Sequence, residues 1–442
     1  MNEPRLSHGT PPPRAPGLPL IGSLPGVLRG QYRFLERAFA TEGPIFELRL
    51  GPLTALVVGD AEAAEEIFVK RARNYDKGGE FWNGARELLG RGIGASEGEL
   101  WRRQHKLMLP KFQRALVEGY RPMIDATIRG AIDELPAETP IDCTRWCDDL
   151  LSLLTVRILL GSDAPMSLIR TVRESMSALF AQVLPEMVLR KLPPWLPRPG
   201  RARLAKARAL VDETLLEIIA DKRRRGPGED LLSALVHATD EAGAMSDEQL
   251  RDEAIFIYTA GYETTGASLA WTLMLLARHP RLLPALQEEL DAGGDTKPLL
   301  HACIREGLRL YPPGTMIPRR AVDDDALCGY SVRAGTLVLV CPWLIHRDPR
   351  WWPRPEEFDP ERFIDGESRQ DRPRLAWVPF GAGQRICLGK GLALLELERA
   401  LELLLSRYTP ALAEHGPPPA ARLSTTLKPD RPIVLSLRPR AA

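Results

Sequence analysis

The residues best suited to chemistry are grouped in the run Phe380-Gly381-Ala382-Gly383-Gln384-Arg385-Ile386-Cys387-Leu388-Gly389. A single cysteine stands between glycine turns, with an arginine two residues before it and an apolar helical pattern after it. Gly381 and Gly383 permit positive φ and a close approach of the backbone to a large planar ligand, and Gly389 lets the next helix start tightly. Loop N–H groups and the helix N-terminus around Lys390 and Gly391 can stabilise an anionic sulfur. A thiolate held in this way binds iron, and the electron density it donates favours O–O cleavage, whereas a proximal histidine suits oxygen storage or peroxidase work. The run therefore predicts a haem-thiolate loop. Cys387 is the expected iron ligand, Phe380 is expected to pack near the sulfur and shield it from solvent, and Arg385 to pair with a haem propionate. A buried free cysteine in a glycine turn is the alternative, and the fixed spacing of several residue types weighs against it.

A second group, Ala260-Gly261-Tyr262-Glu263-Thr264-Thr265, falls inside a pattern that predicts one helix from about Ser246 to His279, roughly 50 Å long at 1.5 Å per residue. A carboxylate and two β-branched threonines beside a glycine are costly inside a buried helix. Thr264 or Thr265 can bond back to a carbonyl, and Gly261 is expected to let the helix open locally into a notch for oxygen and a water. Glu263 and Thr264 then form a carboxylate–alcohol relay able to deliver protons to reduced dioxygen through water. A helix kink with an incidental acid is the plainer alternative.

The cysteine run matches Phe-Gly-x-Gly-x-Arg-x-Cys-x-Gly at every defined position, and in this it resembles the haem-binding signature of the cytochrome P450 family. Glu263-Thr264 is similar to that family's acid–alcohol motif. Glu306-Gly307-Leu308-Arg309 resembles its ExxR element, and Phe358-Asp359-Pro360-Glu361-Arg362-Phe363 resembles the segment that adds a third charged member, Arg362. The resemblance implies that this trio is buried and locks the haem-bearing loop. Trp101-Arg102-Arg103-Gln104-His105 resembles the WxxxR element, whose first and fifth residues bond a propionate; here the fifth is His105, a weaker and pH-dependent donor. Ile317-Pro318-Arg319-Arg320 offers another propionate donor, Arg319 in preference to Arg320. By resemblance the cofactor is haem b (iron protoporphyrin IX), and the fold is mainly α with small β-sheets, the haem held between a long central helix and the cysteine loop. The implied activity is that of a monooxygenase inserting one oxygen atom of O2 into an apolar small molecule of terpenoid, steroid or fatty acyl class. The implied pocket lining is the loop Asp76 to Ile93, the helix from Phe256 to Thr264, Thr315-Met316-Ile317, and the turn near Thr425-Thr426-Leu427. Peroxide-using or lipid-rearranging relatives usually lose the acid–alcohol pair, and a haem-thiolate gas sensor would carry a signalling module.

These residues need a scaffold, and the rest of the chain bounds it. With 442 residues and no low-complexity linker or internal repeat, the expectation is a single haem domain over 1–442, with a proline-rich lead at 1–27. After Cys387 only 55 residues remain (442 − 387), so no fused reductase is expected, and electrons should come from a ferredoxin or flavodoxin with its reductase. Arg102, Arg103, Lys106, Lys111, Arg114 and Lys390 supply positive charge for such an acidic partner, or are ordinary solvated helix faces. Lys plus Arg number 59 and Asp plus Glu 58, giving a net charge of +1, which gives no support to a nucleic-acid partner. Six scattered cysteines suit a reducing compartment, and a cytoplasmic location is expected. Cys143 and Cys147, one helical turn apart, read as core packing. The lead from Thr10 to Pro25 is an extended proline-rich segment, with no membrane anchor. The apolar stretch Ala254 to Ala277 carries Glu263 at its middle and reads as a core helix. Ile45 to Leu50 and Ala55 to Val58 predict two strands joined at Gly51-Pro52. The segment Arg190 to Pro199 is a proline-stiffened loop, either a lid or a plain connector. The basic run Lys222 to Arg225 is expected to end a helix and complement its dipole.

Overall fold

The computed structural model describes residues 9–136, 139–161, 165–180, 201–294, 296–364, 371–413, 416–422, 424 and 426–440. The proposed loop Arg190 to Pro199 and Thr425 lie outside the described residues. The chain divides into two compact units: one comprises Met1–Gly79, Trp271–Cys387 and Glu414–Ile433, the other Glu80–Ala270, Leu388–Ala413 and Val434–Ala442.

The first unit is built around a five-stranded sheet. Ile45–Leu50 and Leu53–Val58 form an antiparallel hairpin in which Leu50 pairs with Leu53. The predicted hairpin is present, and its second strand starts two residues early because Gly51 takes φ 61° and makes the turn tight. Leu337–Val340 adds to Leu53–Val58 in parallel, Ile317–Ala321 pairs antiparallel with Leu337–Val340, and Tyr75–Asp76 closes the edge. Val57 and Val58, on opposite faces of an inner strand, are both fully buried, as expected of a β-branched run covered on both sides. The proline-rich lead is extended up to Leu18 and exchanges backbone hydrogen bonds with Glu47 through Pro13 and Ala15; the expected extension to Pro25 is corrected, because the chain turns between Leu18 and Gly22 and Pro25 opens the helix Leu24–Gly30.

The helix Pro298–Leu310 of this unit begins with proline at its first position and ends before Tyr311-Pro312. Glu306 and Arg309 share one face, and both are wholly buried. Arg309 donates Nε and Nη2 to the two Glu306 oxygens at 2.7 and 2.8 Å. Its remaining N–H groups go to the carbonyls of His346 (2.8 Å), Pro355 (2.7 Å) and Glu357 (3.0 Å). Glu306 also accepts the Asp359 N–H at 3.0 Å and lies 3.4 Å from Arg362 Nε, completing the expected charged trio.

The second unit is helical, with a three-stranded sheet ordered Tyr408–Leu412, Val434–Pro439, Ile141–Asp142. Cys143–Leu160 is capped by Asp142, whose side chain accepts from the Arg145 N–H. Cys143 and Cys147 lie in the core with sulfurs 3.8 Å apart. The long helix is Asp247–Arg278, 32 residues or about 48 Å, one residue shorter at each end than expected. Its residues to Ala270 belong to this unit and the last turns to the other. The expected opening at Gly261 is absent: the helix runs through unbroken. A Cβ on Gly261 would sit 3.2 Å from Thr155 Cγ2, so the missing side chain admits the neighbouring helix instead. The basic run at 222–225 also does more than complement a dipole. Lys222 bonds the Leu160 carbonyl and Asp230, and Arg223 bonds Asp247 and the Met245 carbonyl.

Removing Arg309 leaves the Glu306 carboxylate buried without its main partner, a change that typically costs about 3–5 kcal/mol. Arg309→Ala is expected to lower the urea unfolding midpoint accordingly and to depress haem incorporation in the purified protein; an unchanged midpoint would count against a structural role for the pair.

Candidate active site

In the cysteine loop Gly381 and Gly383 have φ of 67° and 69°. At Gly383 a Cβ would lie 1.9 Å from the Phe68 carbonyl oxygen, so no other residue fits without moving the backbone. The loop closes on itself through the Cys387 N–H, which donates to the Phe380 carbonyl at 2.9 Å. Cys387 itself is exposed, whereas Cys143, Cys147, Cys303 and Cys341 are buried. Burial pushes the Cys303 and Cys341 thiols up to about 12 and raises Cys147 as well. Those thiols are poor metal ligands near neutrality. Cys328, the other exposed cysteine, sits in a turn at φ 48° with its thiol raised, first by burial and then by nearby carboxylates. Cys387 combines exposure with a turn fixed by positive φ at Gly381 and Gly383, and a cysteine so presented fits a haem iron.

The strand Ile317–Ala321 meets this loop within the same unit: Ile317 Cδ1 lies 3.7 Å from where a Gly381 Cβ would be. Arg319 is buried, its guanidinium 5.1 Å from the Phe68 ring centroid, and it donates to the Pro318 carbonyl at 2.9 Å. Arg320 instead binds Asp76 in a fork, at 3.0 and 2.5 Å. Arg320 is thus held by a bidentate carboxylate partner, while Arg319 lies buried beside Phe68. Phe380 is half-buried, its ring 6.1 Å from Trp377, and Arg385 is half-buried in a short 3-10 turn, Gly383–Arg385.

One residue escaped the sequence reading. His346 is fully buried and ties the Glu306–Arg309 pair to the cysteine loop. Its Nδ1–H donates to the Arg309 carbonyl (3.1 Å) and its Nε2 accepts the Val378 N–H (2.8 Å), two residues before Phe380. Both ring nitrogens are satisfied only in the neutral form. Burial, then the adjacent Arg309 charge, hold its pKa down at about 3. The His-Arg-Asp-Pro run carried no metal-ligand spacing or catalytic pattern, so its partners became visible only in the fold.

In the other unit Glu263 is buried and Thr264 half-buried, its hydroxyl donating to the Ala260 carbonyl at 2.6 Å. This is the back-bond expected of the pair. Trp101 and His105 lie on the helix Gly98–Met108 with ring centroids 5.0 Å apart. Arg103, counted among the surface cations, is engaged internally: it holds Asp240 at 3.0 Å and the carbonyl of Gly243 at 3.0 Å. Two further acids on the long helix pin the loop before it. Asp252 accepts the Arg91 N–H (2.6 Å) and Glu253 the Ile93 N–H (2.8 Å), and burial pushes the Glu253 carboxyl up to about 8. The Arg91–Ile93 end of the implied pocket segment is therefore fixed by side chains of the long helix, and the segment itself is not a loop as expected but contains the helix Gly79–Leu89.

A mostly helical protein with small sheets, a rigid cysteine loop and a buried Glu–Arg pair behind it is the architecture of a haem-thiolate enzyme. A family model described as Cytochrome P450 matches residues 11–437, and the chain belongs to that family. It is 31% identical to cyclooctatin synthase of Streptomyces melanosporofaciens over 89% of this chain and 88% of that protein. It is 29% identical to pentalenene oxygenase of Streptomyces avermitilis, over 94% and 95%. The solved structure of retinoic acid-bound cyanobacterial CYP120A1 superposes with a TM-score of 0.85 at 26% identity, covering 98% of this chain and all of that one. The protein is a P450 monooxygenase, and the family's cofactor is a haem iron.

His346 generates a pH prediction. The unfolded chain binds a proton near pH 6.5 that the folded chain takes up only near pH 3, so this contribution to stability is complete above 6.5 and is lost as pH falls through that window. The urea midpoint of the wild type is expected to drop more steeply between those values than that of His346→Gln. Parallel curves would show that folding does not hold the His346 pKa down.

Proposed function

We propose that this monooxygenase uses haem b ligated by Cys387 to hydroxylate an apolar terpenoid, with electrons delivered by a separate ferredoxin or flavodoxin and its reductase. The observation that carries the reading is Cys387, exposed on a loop whose turn is fixed by positive φ at Gly381 and Gly383 and by the close approach of Gly383 to the Phe68 carbonyl. Arg319, Arg385, Trp101 and His105 would hold the propionates, and Phe380 and Gly381 would shape the seat of the sulfur. Bound there, the haem supplies oxygen binding and O–O cleavage favoured by thiolate donation. The chain's own part is protonation and exclusion. Glu263 and Thr264 adjoin on one helix, and the Thr264 hydroxyl, anchored to the Ala260 carbonyl, has its oxygen free to accept from a water that the Glu263 carboxyl can recharge.

The terpenoid class is supported by relatives named for cyclooctatin, cyclooctat-9-en-7-ol and pentalenene chemistry; a relative is also named as a steroid 17-alpha-hydroxylase/17,20 lyase. The lining positions Ile317 and Phe256 are apolar, in keeping with an apolar substrate. We take residues 1–442 as one haem domain acting in the cytoplasm. Among the described residues no helix is long and apolar enough to cross a membrane.

The first test is the carbon monoxide difference spectrum of the reduced protein. The long-wavelength Soret band of a cysteinate-ligated haem is expected in the wild type and is expected to vanish in Cys387→Ser; a band that survives the substitution would remove Cys387 from the iron. Thr264→Ala should keep that band yet divert reducing equivalents to hydrogen peroxide, raising peroxide per product by up to about a hundredfold, the lower end of what general acid–base groups typically contribute. Unchanged coupling would take Thr264 out of proton delivery.

A further inference from the structure

A cleft of about 410 Å³ opens within the first unit, where the end of the long helix meets the end of the helix Pro298–Leu310 and the irregular segment after His346. Its floor is apolar. Leu275, Leu310 and Phe358 line it, and the Tyr311 ring lies flat on Trp271, with centroids 4.0 Å apart and planes within 2°. Two cations, Arg278 and Arg347, and two acids, Glu356 and Glu357, stand around this floor. The acids are engaged: Glu356 holds Arg347 Nε at 3.1 Å, and Glu357 holds Arg354 at 2.7 Å.

The donors are not all engaged. Arg347 is 8% exposed. Its guanidinium stacks on the Trp343 ring, 3.5 Å from the centroid, and its Nη2 donates to the Leu310 carbonyl at 2.7 Å, which fixes its plane. Nη1, with two N–H groups, is buried and has no acceptor among the described residues. Burial holds the Arg347 pKa below the ordinary arginine value, Glu356 working against this and Arg309 adding to it. Arg278, the last residue of the long helix, is exposed and forms no ion pair among the described residues. The Tyr311 hydroxyl likewise has no hydrogen-bond partner among them. Burial raises the Tyr311 phenol, and the Arg347 and Arg278 charges pull it back, so both cations act on that one hydroxyl. Donors without acceptors thus gather in a cleft whose floor is hydrocarbon. A carboxylate only accepts, and it takes several donors at once. A phosphate dianion suits the cleft less, because Glu356 and Glu357 would oppose the larger charge.

We propose that this cleft is a binding site for a small monocarboxylate with an apolar body, the carboxylate received by Arg278 and the Tyr311 hydroxyl and facing the Arg347 charge, the body resting on Leu275, Leu310 and Phe358. The site shares no residue with the implied substrate pocket. It adjoins the buried ion pair: Arg347 follows His346, and the Glu357 carbonyl accepts Arg309 Nη2 at 3.0 Å. A ligand that binds only the folded chain stabilises it by mass action, so occupancy braces the segment from 346 to 358 that surrounds Glu306 and Arg309.

The test is calorimetric titration of the full-length holoenzyme with 4-phenylbutyrate, with and without clotrimazole blocking the haem and its substrate pocket. Saturable binding is expected in both cases, with the neutral analogue 4-phenylbutanol at least about tenfold weaker, the order of a hydrogen bond to a charged group. Arg278→Glu is expected to weaken 4-phenylbutyrate about tenfold or more, Tyr311→Phe to weaken it several-fold and Arg278→Lys to keep most of the affinity. Each variant should keep the wild-type carbon monoxide difference spectrum. The probe is also expected to raise the urea midpoint of the wild type and not that of Arg278→Glu. The proposal is overturned if 4-phenylbutyrate does not bind, if the alcohol binds as tightly, or if Arg278→Glu and Tyr311→Phe bind as the wild type does. Loss of binding in the presence of clotrimazole would assign the probe to the substrate pocket and overturn it as well.

Discussion

Two opposite charges, Glu306 and Arg309, lie with no exposure to solvent one helical turn apart, and the loop-rich part of the first unit is organised around them. Desolvating both groups is expensive, and their attraction offsets the cost only when the remaining donors and acceptors find partners. Here the five contacts of Arg309 use two carboxylate oxygens and the carbonyls of His346, Pro355 and Glu357. The satisfaction of the pair is therefore the same event as the folding of the segment around it. Residues 346–359 contain little regular secondary structure, and backbone groups that a helix or strand would pair internally are paired instead to buried charge. His346 extends the arrangement to Val378 and so to the cysteine loop. The backbone just before the cysteine loop is thus tied, through His346, to an ion pair on a distant helix.

The second unit treats its own irregular segment similarly. Arg91 and Ile93 place their N–H groups on Asp252 and Glu253 of the long helix, and Phe256 fills the space left open by Gly92 and Gly94, where any Cβ would strike its ring. Carboxylates accepting backbone N–H groups hold a loop without needing the loop to form a sheet or helix. In each unit a rigid helix carries the acid, and the loop conforms to it. Such an arrangement allows loop sequences to change while the attachment points stay in place.

Much of this was legible along the chain. Gly381 and Gly383 take the positive φ their spacing implied, although Cys387 is exposed where Phe380 was expected to shield it; the Glu306–Arg309 pair is buried as the resemblance implied, and the long helix and the first hairpin fall within a residue or two of their expected ends. These features are local, because glycine's freedom, the i, i+3 repeat and strand alternation are all properties of short windows. What was not legible depends on neighbours distant in sequence. Gly261 reads alone as a place for a helix to open, and only the helix Cys143–Leu160 against it shows that it is a contact point. Arg103 reads as a surface cation until Asp240 is beside it. His346, Asp252 and Glu253 have no motif because their partners are backbone groups, which every residue has.

By itself the sequence determined the chemistry available to this protein: one cysteine presented by glycines, an acid beside an alcohol on a long helix, and a charged pair at helical spacing. Those are consequences of residue type and short-range geometry. Only the tertiary structure decided which charges are spent on structure and which remain for other uses. Whether Arg103 or Arg320 is already held by a carboxylate, and whether a histidine stays neutral, are questions of burial and of partners brought together from far along the chain. The free energy of a polar or apolar group is set by that environment, which no local window contains.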